Sequence, residues 1–76
     1  MITVKLYGLL RLDCGIREKQ LEAASVRDVL DMLAECGIRK QDLEGCIILV
    51  NGKSAKKRSK LADGDTVVLM SPVAGG

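Results

Sequence analysis

The sequence predicts an α+β fold in which one mixed sheet is wrapped over a single helix. Alternating or continuous apolar segments near both ends of the 76-residue chain indicate strands, and an apolar stripe with helical spacing lies between them. The predicted order is β-β-α-β-β-β. A sheet that covers the helix buries the apolar face of every element, and the first and last strands can then lie side by side at its centre.

The two strands before the helix differ in how clearly they are marked. Apolar and polar residues alternate from Ile2 to Tyr7, which predicts a half-buried strand over residues 1–7. A second, edge-like strand is predicted over residues 16–22. Its apolar anchors, Ile16 and Leu21, have an odd spacing that requires a bulge or a bend.

The helix is predicted from Val26 to Cys36. Ser25 can cap its first turn, and Asp28 three residues later completes a pattern that resembles a capping box. Gly37 fits the left-handed position just past the helix end. The apolar stripe has the spacing i, i+3, i+4, i+7 and consists of Val26, Val29, Leu30 and Leu33.

The segment after the helix is predicted to be a polar connection over residues 38–45, followed by a strand over residues 46–50. That strand is apolar at every position, which is typical of a strand covered on both faces or lying at the sheet centre. Asn51-Gly52 predicts a tight hairpin turn and a return strand over residues 53–57.

The last strand is predicted over residues 66–70, after a turn at Asp63-Gly64-Asp65. If Val67 and Leu69 face the helix, Val68 and Met70 face away from it. Exposed apolar residues on an open sheet face often mark a docking surface, so Val68 and Met70 are candidate docking residues. Pro72 cannot donate to a sheet ladder, so we expect a domain over residues 1–71 and a flexible tail over residues 72–76.

Composition excludes several classes of function. The net charge is +2 and Tyr7 is the only aromatic residue, so there is no platform on which nucleic-acid bases could stack. The chain has no histidine, and the spacing of its three cysteines predicts neither a disulfide framework nor a metal site. No apolar run is long enough to span a membrane. We therefore expect a cytoplasmic protein that binds no nucleic acid, no membrane and no metal.

The C-terminal Gly75-Gly76 is the part of the sequence that most resembles a reactive site. Residues without Cβ can thread a slot too narrow for any side chain, and the terminal carboxylate is ionised at neutral pH. Residues 73–76 can reach about 13 Å when extended. Because the sequence shows no base-nucleophile pair, we expect a partner enzyme to supply the catalytic groups that activate this carboxylate.

The sequence resembles the MoaD/ThiS-type sulfur carriers, and most of all the MoaD-like small subunit of molybdopterin synthase. The most specific part is the Asp-Gly-Asp turn together with Pro72-Val73-Ala74-Gly75-Gly76. Further similar segments are 4–8, 26–30 and 50–52. The resemblance implies a ubiquitin-like β-grasp fold.

The resemblance also implies a mechanism. Gly76 would be adenylated and then converted to a thiocarboxylate, and Gly75 would allow threading. An E1-like adenylating enzyme would bind MgATP, and this chain would bind no cofactor. The thiocarboxylate would donate sulfur within the molybdopterin synthase large subunit, in an expected heterotetramer. The protein would be a carrier subunit and not a stand-alone enzyme, and its docking residues would be Val68, Met70, Pro72, Val73 and Ala74.

Three other interpretations stay open. The same carrier chemistry could serve thiazole (thiamine) or cysteine synthesis, although Pro72-Val73 favours the molybdopterin pathway. Gly76 could instead be joined to lysines of target proteins, as in a ubiquitin-like modifier. The chain could also be a plain β-grasp interaction module with an incidental Gly-Gly end.

The basic run from Lys56 to Lys60 has three interpretations. It is a solvated loop, as like-charged runs usually are, or a surface that steers the chain toward an acidic partner. The third interpretation, a patch for phosphate or nucleic acid, is weakly supported by so short a run.

Overall fold

The computed structural model describes residues 1–8 and 17–71. Within them, five strands form one mixed sheet against two helices, which confirms the predicted α+β arrangement. The spatial order of the strands is β2-β1-β5-β3-β4. In chain order the elements are β1 (Ile2–Tyr7), β2 (Glu18–Leu21), α1 (Val26–Glu35), α2 (Lys40–Glu44), β3 (Ile47–Val50), β4 (Lys53–Ser54) and β5 (Thr66–Met70).

The first and last strands pair in parallel at the centre of the sheet, as predicted. Their register runs from Thr3 opposite Thr66 to Tyr7 opposite Met70. The other pairs, β1 with β2, β5 with β3, and β3 with β4, are antiparallel. The end of β5 therefore lies beside the end of β1.

The core lies between the sheet and α1. Side chains at alternate positions of β1 and β5 face the helix, and Val4, Val67 and Leu69 are completely buried there. The helix contributes the apolar stripe predicted from its spacing. The remaining buried residues are Ile2, Leu6, Ile38, Leu43 and Ile48.

Both ends of α1 have the predicted terminating signals. The Ser25 hydroxyl accepts a hydrogen bond from the backbone N–H of Asp28 at 3.3 Å, and the Asp28 carboxylate accepts one from the backbone N–H of Ala24 at 3.1 Å. At the C-terminal end, Gly37 has a φ of +107°. Backbone bonds from Gly37 to Ala34 and from Ile38 to Leu33 form a Schellman motif. The helix thus ends at Glu35, with Cys36 as its cap.

The prediction of a polar connection over residues 38–45 is wrong, because residues 40–44 form a short helix. Ile38 and Leu43 are both buried in the core. These two apolar residues lie five positions apart, which is neither a helical nor a strand period, so their burial left no recognisable pattern.

Strands β3 and β4 also differ from prediction, β4 in its length and β3 in its burial. The return strand β4 stops at Ser54, although Ala55 N–H still donates to Ile48 at 2.9 Å. At the next residue the chain leaves the sheet, and Lys56 N–H donates to the Ser59 hydroxyl instead of to a strand. Ile47 in β3 is 47% exposed, so β3 is not covered on both faces. Residues 16 and 72–76, which include one predicted strand anchor and the predicted tail, lie outside the described residues.

The two predicted turns are bonded to each other. Asn51 and Gly52 both have positive φ, as the predicted tight hairpin turn requires. The Asn51 amide accepts from Thr66 N–H at 3.0 Å and donates to the Asp65 carboxylate at 3.0 Å. Asp65 also accepts from Ala62 N–H at 2.8 Å. These hydrogen bonds, first from Ala62 and then from Asn51, lower the pKa of Asp65 below its ordinary value.

The lowered pKa of Asp65 predicts a pH-dependent contribution to stability. The stabilisation is present above the ordinary aspartate pKa of about 3.9 and is lost as the pH falls through the folded-state pKa. We expect Asp65→Asn to lower the urea midpoint at pH 7 but to have less effect at pH 3. The control Asp31→Asn removes a helix carboxylate that accepts no hydrogen bond from any described residue. An Asp65→Asn effect of equal size at both pH values would contradict this account.

Candidate functional site

The end of β5 is held against the end of β1, at the point where the predicted tail begins. Ser71 N–H donates to the carbonyl of Tyr7 at 3.4 Å. Gly8 lies beside Ser71 with a φ of +72°, and a Cβ at Gly8 would collide with the Ser71 hydroxyl. Position 71 is therefore fixed relative to β1. The predicted reactive and threading residues, Gly76 and Gly75, lie outside the described residues, as do Pro72, Val73 and Ala74.

An apolar row crosses the outer face of the sheet at this same end. The register places Tyr7, Met70 and Ile47 opposite one another on three adjacent strands. Tyr7 is 46% exposed and Ile47 is 47% exposed, while Met70 between them is partly buried. We call these three residues the outer row. Adjacent exposed apolar side chains of this kind are typical of an interaction surface.

A second row lies one pleat further from the end of β5. Val68 in β5 stands opposite Leu49 in β3 and Lys5 in β1, and all three side chains are partly buried. Lys5 in turn lies opposite Glu18 of the edge strand β2. The apolar surface thus has a charged border toward β2, as docking surfaces with a polar rim have.

The structure confirms that Val68 and Met70 face away from the helix, while their role in docking stays a prediction. Sequence reasoning missed Tyr7, Ile47 and Leu49. The alternation of β1 did place Tyr7 on the outer face. Ile47 lies opposite Met70 because β3 pairs with β5. This pairing depends on the strand order of the whole sheet, and no local sequence pattern predicts it.

The described cysteines do not add a nucleophile to this site. The Cys46 thiol donates a hydrogen bond to the Leu43 carbonyl at 2.9 Å, and burial raises its pKa. It is therefore protonated at neutral pH. Cys36 accepts a hydrogen bond from the Lys19 ammonium at 3.6 Å, on the helix side of the sheet. Cys14 lies outside the described residues.

Two kinds of feature are absent from the described part of the chain, a metal site and a membrane-spanning helix. Residues 1–8 and 17–71 contain no group of three or more His, Cys, Asp or Glu side chains that could hold a metal ion. Nor does a helix within those residues have the length and apolar character needed to cross a membrane.

Comparison with known proteins connects this geometry to a family. The profile of the ThiS family matches residues 4–76. The chain belongs to the ThiS family. This confirms the sulfur-carrier family that the sequence resemblance predicted. Proteins of this family are small sulfur carriers or modifiers and are generally not enzymes. No curated protein matches the chain significantly.

Solved structures share the ubiquitin-like β-grasp fold over almost the whole ThiS-family chain. Small archaeal modifier protein 1 from Methanosarcina acetivorans is 28% identical, with a TM-score of 0.81 over 99% of this chain and 95% of that one. A putative molybdopterin converting factor subunit 1 from Pyrococcus furiosus is 26% identical, with a TM-score of 0.78 over 95% and 97%.

A third structure is a complex. One chain in the complex of subunits 1 and 2 of the molybdopterin-converting factor from Helicobacter pylori is 24% identical, with a TM-score of 0.70 over 99% of this chain and 97% of that one. At this identity the likeness shows the fold alone.

The two faces of β5 predict losses of stability of different size when a carboxylate is introduced. Val67 is completely buried and Val68 is partly exposed on the outer face. Val67→Asp would place an unpaired carboxylate in the core, and we expect it to lower the free energy of unfolding by at least about 3 kcal/mol. For Val68→Asp we expect about 1 kcal/mol, the cost of Asp in a strand. Urea denaturation measures both, and similar losses would show that the outer face is covered.

Proposed function

We propose that this chain is a sulfur carrier of molybdenum-cofactor biosynthesis, activated at the carboxylate of Gly76. One observation carries the proposal: the chain leaves β5 beside the outer row, so docking of that row would aim residues 72–76 into the same partner. The ThiS family and the likeness to a putative converting factor subunit from P. furiosus support the carrier chemistry. The Pro72-Val73 pair favours the molybdopterin pathway.

The first chemical step would be adenylation. An E1-like partner binds MgATP, and a carboxylate oxygen of Gly76 attacks the α-phosphorus, so that a P–O bond forms and pyrophosphate leaves. The product is a mixed anhydride between the glycine carbonyl and AMP. A nucleophile can attack the carbonyl carbon of such an anhydride, whereas the carbonyl carbon of a free carboxylate is unreactive.

The second step would place sulfur on the carrier. A sulfur nucleophile delivered by the partner attacks the Gly76 carbonyl carbon, and the C–O bond to AMP breaks. With a persulfide of the partner as the nucleophile, the product is an acyl disulfide. A second thiol of the partner then attacks the donor sulfur, so that the acyl disulfide S–S bond breaks, a disulfide forms between the two partner sulfurs and a terminal thiocarboxylate is released. Among the described cysteines, Cys46 is a poor candidate for the donor, because its thiol is protonated and bonded to Leu43.

The outer row would make the docking contact for two partners in turn. An E1-like enzyme would bind it for activation, and a large subunit would bind it for sulfur transfer, in a heterotetrameric synthase. Met70 and Val68 lie at the centre of this surface, and Pro72, Val73 and Ala74 would line the entrance to the partner's slot. The converting factor from H. pylori shares the fold and is a complex of subunits 1 and 2.

The likeness to a small archaeal modifier protein supports a second candidate function. In that case a lysine amine, and not sulfur, would attack the Gly76 adenylate, and an isopeptide bond to a target protein would form. Incubation with an E1-like enzyme, MgATP and a sulfur source separates the two. Conjugates of higher mass would support the modifier. A gain in the mass of the chain equal to the replacement of one oxygen by sulfur would support the carrier. Co-purification of a thiazole synthase with the chain would assign the carrier to another pathway.

Activation at Gly76 predicts that the tail tolerates neither added length nor added bulk. We expect one alanine added after Gly76, or Gly75→Leu, to lower the rate of ATP–pyrophosphate exchange by at least about a hundredfold, because the carboxylate is displaced from the α-phosphorus. The same alanine added before Met1 is the control. The urea midpoints of both tail variants should equal that of the unmodified chain, which verifies that the fold is intact. Full exchange activity of the extended chain would contradict activation at Gly76.

Docking through the outer row predicts a local effect of charge on partner binding. Met70→Asp places a carboxylate at the centre of the row, and we expect the KM of adenylation for this chain to rise at least about tenfold. Thr66→Asp is the matched control, since Thr66 lies on the same strand and face at the opposite end. We expect its KM to change by less than about twofold. Equal effects of both variants would exclude the outer row as the contact.

A further inference from the structure

The basic loop, residues 56–60, is a dense group of positive charges in a chain whose net charge is only +2. Lys56, Lys57, Arg58 and Lys60 are all exposed. None of them forms an ion pair with any carboxylate of residues 1–8 and 17–71. The remainder of the chain is therefore net acidic, and these four charges lack a neutralising partner in the part that the structure describes.

The backbone of the basic loop is held in place by the start of α1. Val26 N–H donates to the Ser59 carbonyl at 2.9 Å, and Arg27 N–H donates to the Lys57 carbonyl at 3.1 Å. Inside the loop, Lys56 N–H donates to the Ser59 hydroxyl at 3.0 Å. The loop carbonyls thus satisfy the first N–H groups of the helix, while the charged side chains are directed to solvent.

This position is electrostatically unfavourable for cations. The N-terminus of a helix carries a partial positive charge, and like charges within one short loop repel one another. Arg27 adds a further cation in the first turn of α1. Folding brings Arg27 beside the loop, because its N–H bonds to the Lys57 carbonyl, and Asp28 is the one carboxylate in that first turn. An anionic partner would reduce the repulsion among the remaining cations.

A groove beside the basic loop combines charged and apolar lining residues. It has a volume of about 230 Å³ and lies between α1 and α2. Arg27 and Lys57 line one part of it, and Asp31 and Glu44 line another. Its apolar lining comes from Leu30, Ala34 and Leu43. Ligand pockets are commonly about 300–1,000 Å³, so this groove suits one or two side chains and not a cofactor.

We propose that the basic loop and this groove bind an acidic segment of a partner protein, with one apolar side chain of that segment in the groove. Glutamate or aspartate side chains would pair with Lys56, Lys57 and Arg58. The apolar side chain would contact Ala34, which is partly exposed and lies beside the buried Leu30 and Leu43. Charge complementarity of this kind raises association rates and selects the partner.

The surroundings favour a protein segment over a nucleic acid. Asp31 and Glu44 line the groove, and their carboxylates would repel a continuous phosphate backbone. Tyr7, the only aromatic residue, lies on the outer face of the sheet and cannot stack a base near the loop. A protein segment can place an uncharged side chain in the groove beside those two carboxylates and direct its acidic side chains to the loop, whereas a nucleic acid carries a phosphate at every nucleotide.

The basic loop is on the helix side of the sheet, and the outer row is on the other side. An acidic segment could therefore bind while the outer row and the tail are engaged elsewhere. The proposal does not depend on the chemistry of Gly76, so it can hold or fail independently of the proposed function.

The test is an NMR titration of the isotope-labelled full chain with a synthetic peptide of about seven residues, glutamates around one central leucine. We expect amide shifts in the basic loop, the first two turns of α1 and α2. Replacing the peptide's leucine by serine should weaken binding, because the groove contact is lost. Raising the salt from about 50 mM to about 500 mM should weaken it at least about tenfold.

A triple variant locates the site. Lys56→Gln, Lys57→Gln and Arg58→Gln together should weaken peptide binding at least about tenfold. Arg17→Gln, Lys19→Gln and Lys53→Gln remove the same charge elsewhere and should change affinity by less than about twofold. The amide spectrum verifies that both variants fold. The proposal would be overturned by equal losses in the two variants, by no peptide shifts, or by tighter binding of a uridine oligonucleotide to the same loop.

Discussion

Five register pairs, from Thr3–Thr66 to Tyr7–Met70, hold the first strand parallel to the last strand at the centre of the sheet. A parallel pair needs a long crossover, and here that crossover contains both helices and the other three strands. Closing so long a loop costs entropy, which the burial of Val4, Val67 and Leu69 against α1 offsets. The pairing also fixes Ser71 beside Tyr7. The position of Ser71, the last described residue, is therefore a consequence of core formation.

The same pairing divides the molecule into two surfaces with different chemistry. Because successive side chains of a strand face opposite sides, each strand that buries side chains against α1 also presents the intervening side chains on the outer face. On β5 this places Met70 in the outer row, next to Ser71, the last described residue. The helix side instead presents the basic loop, whose carbonyls cap α1. A short domain can in this way offer one surface for a tail-directed partner and another for a partner selected by charge.

Local patterns predicted the elements that have a strong period or a specific turn. The Ser25 cap, the Gly37 terminus and the Asn51-Gly52 turn depend on interactions between near neighbours, so sequence reasoning identified them. It missed α2, because the burial of Ile38 and Leu43 depends on tertiary packing and has no period. It predicted the outward orientation of Val68 and Met70 from alternation. It could not predict that Ile47 completes the outer row, because strand order is set by the whole fold.

The central claim is that this ThiS-family chain carries sulfur on the carboxylate of Gly76. The most direct test is fragmentation mass spectrometry of the intact chain after incubation with an E1-like enzyme, MgATP and a sulfur source, before any reduction and again after it. We expect a mass gain equal to the replacement of one oxygen by sulfur. The gain should be confined to fragments that contain Gly76, and thiol reductants should not remove it. A gain carried by fragments that contain Cys14, Cys36 or Cys46 and removed by reduction would contradict it, because the sulfur would then be a cysteine persulfide.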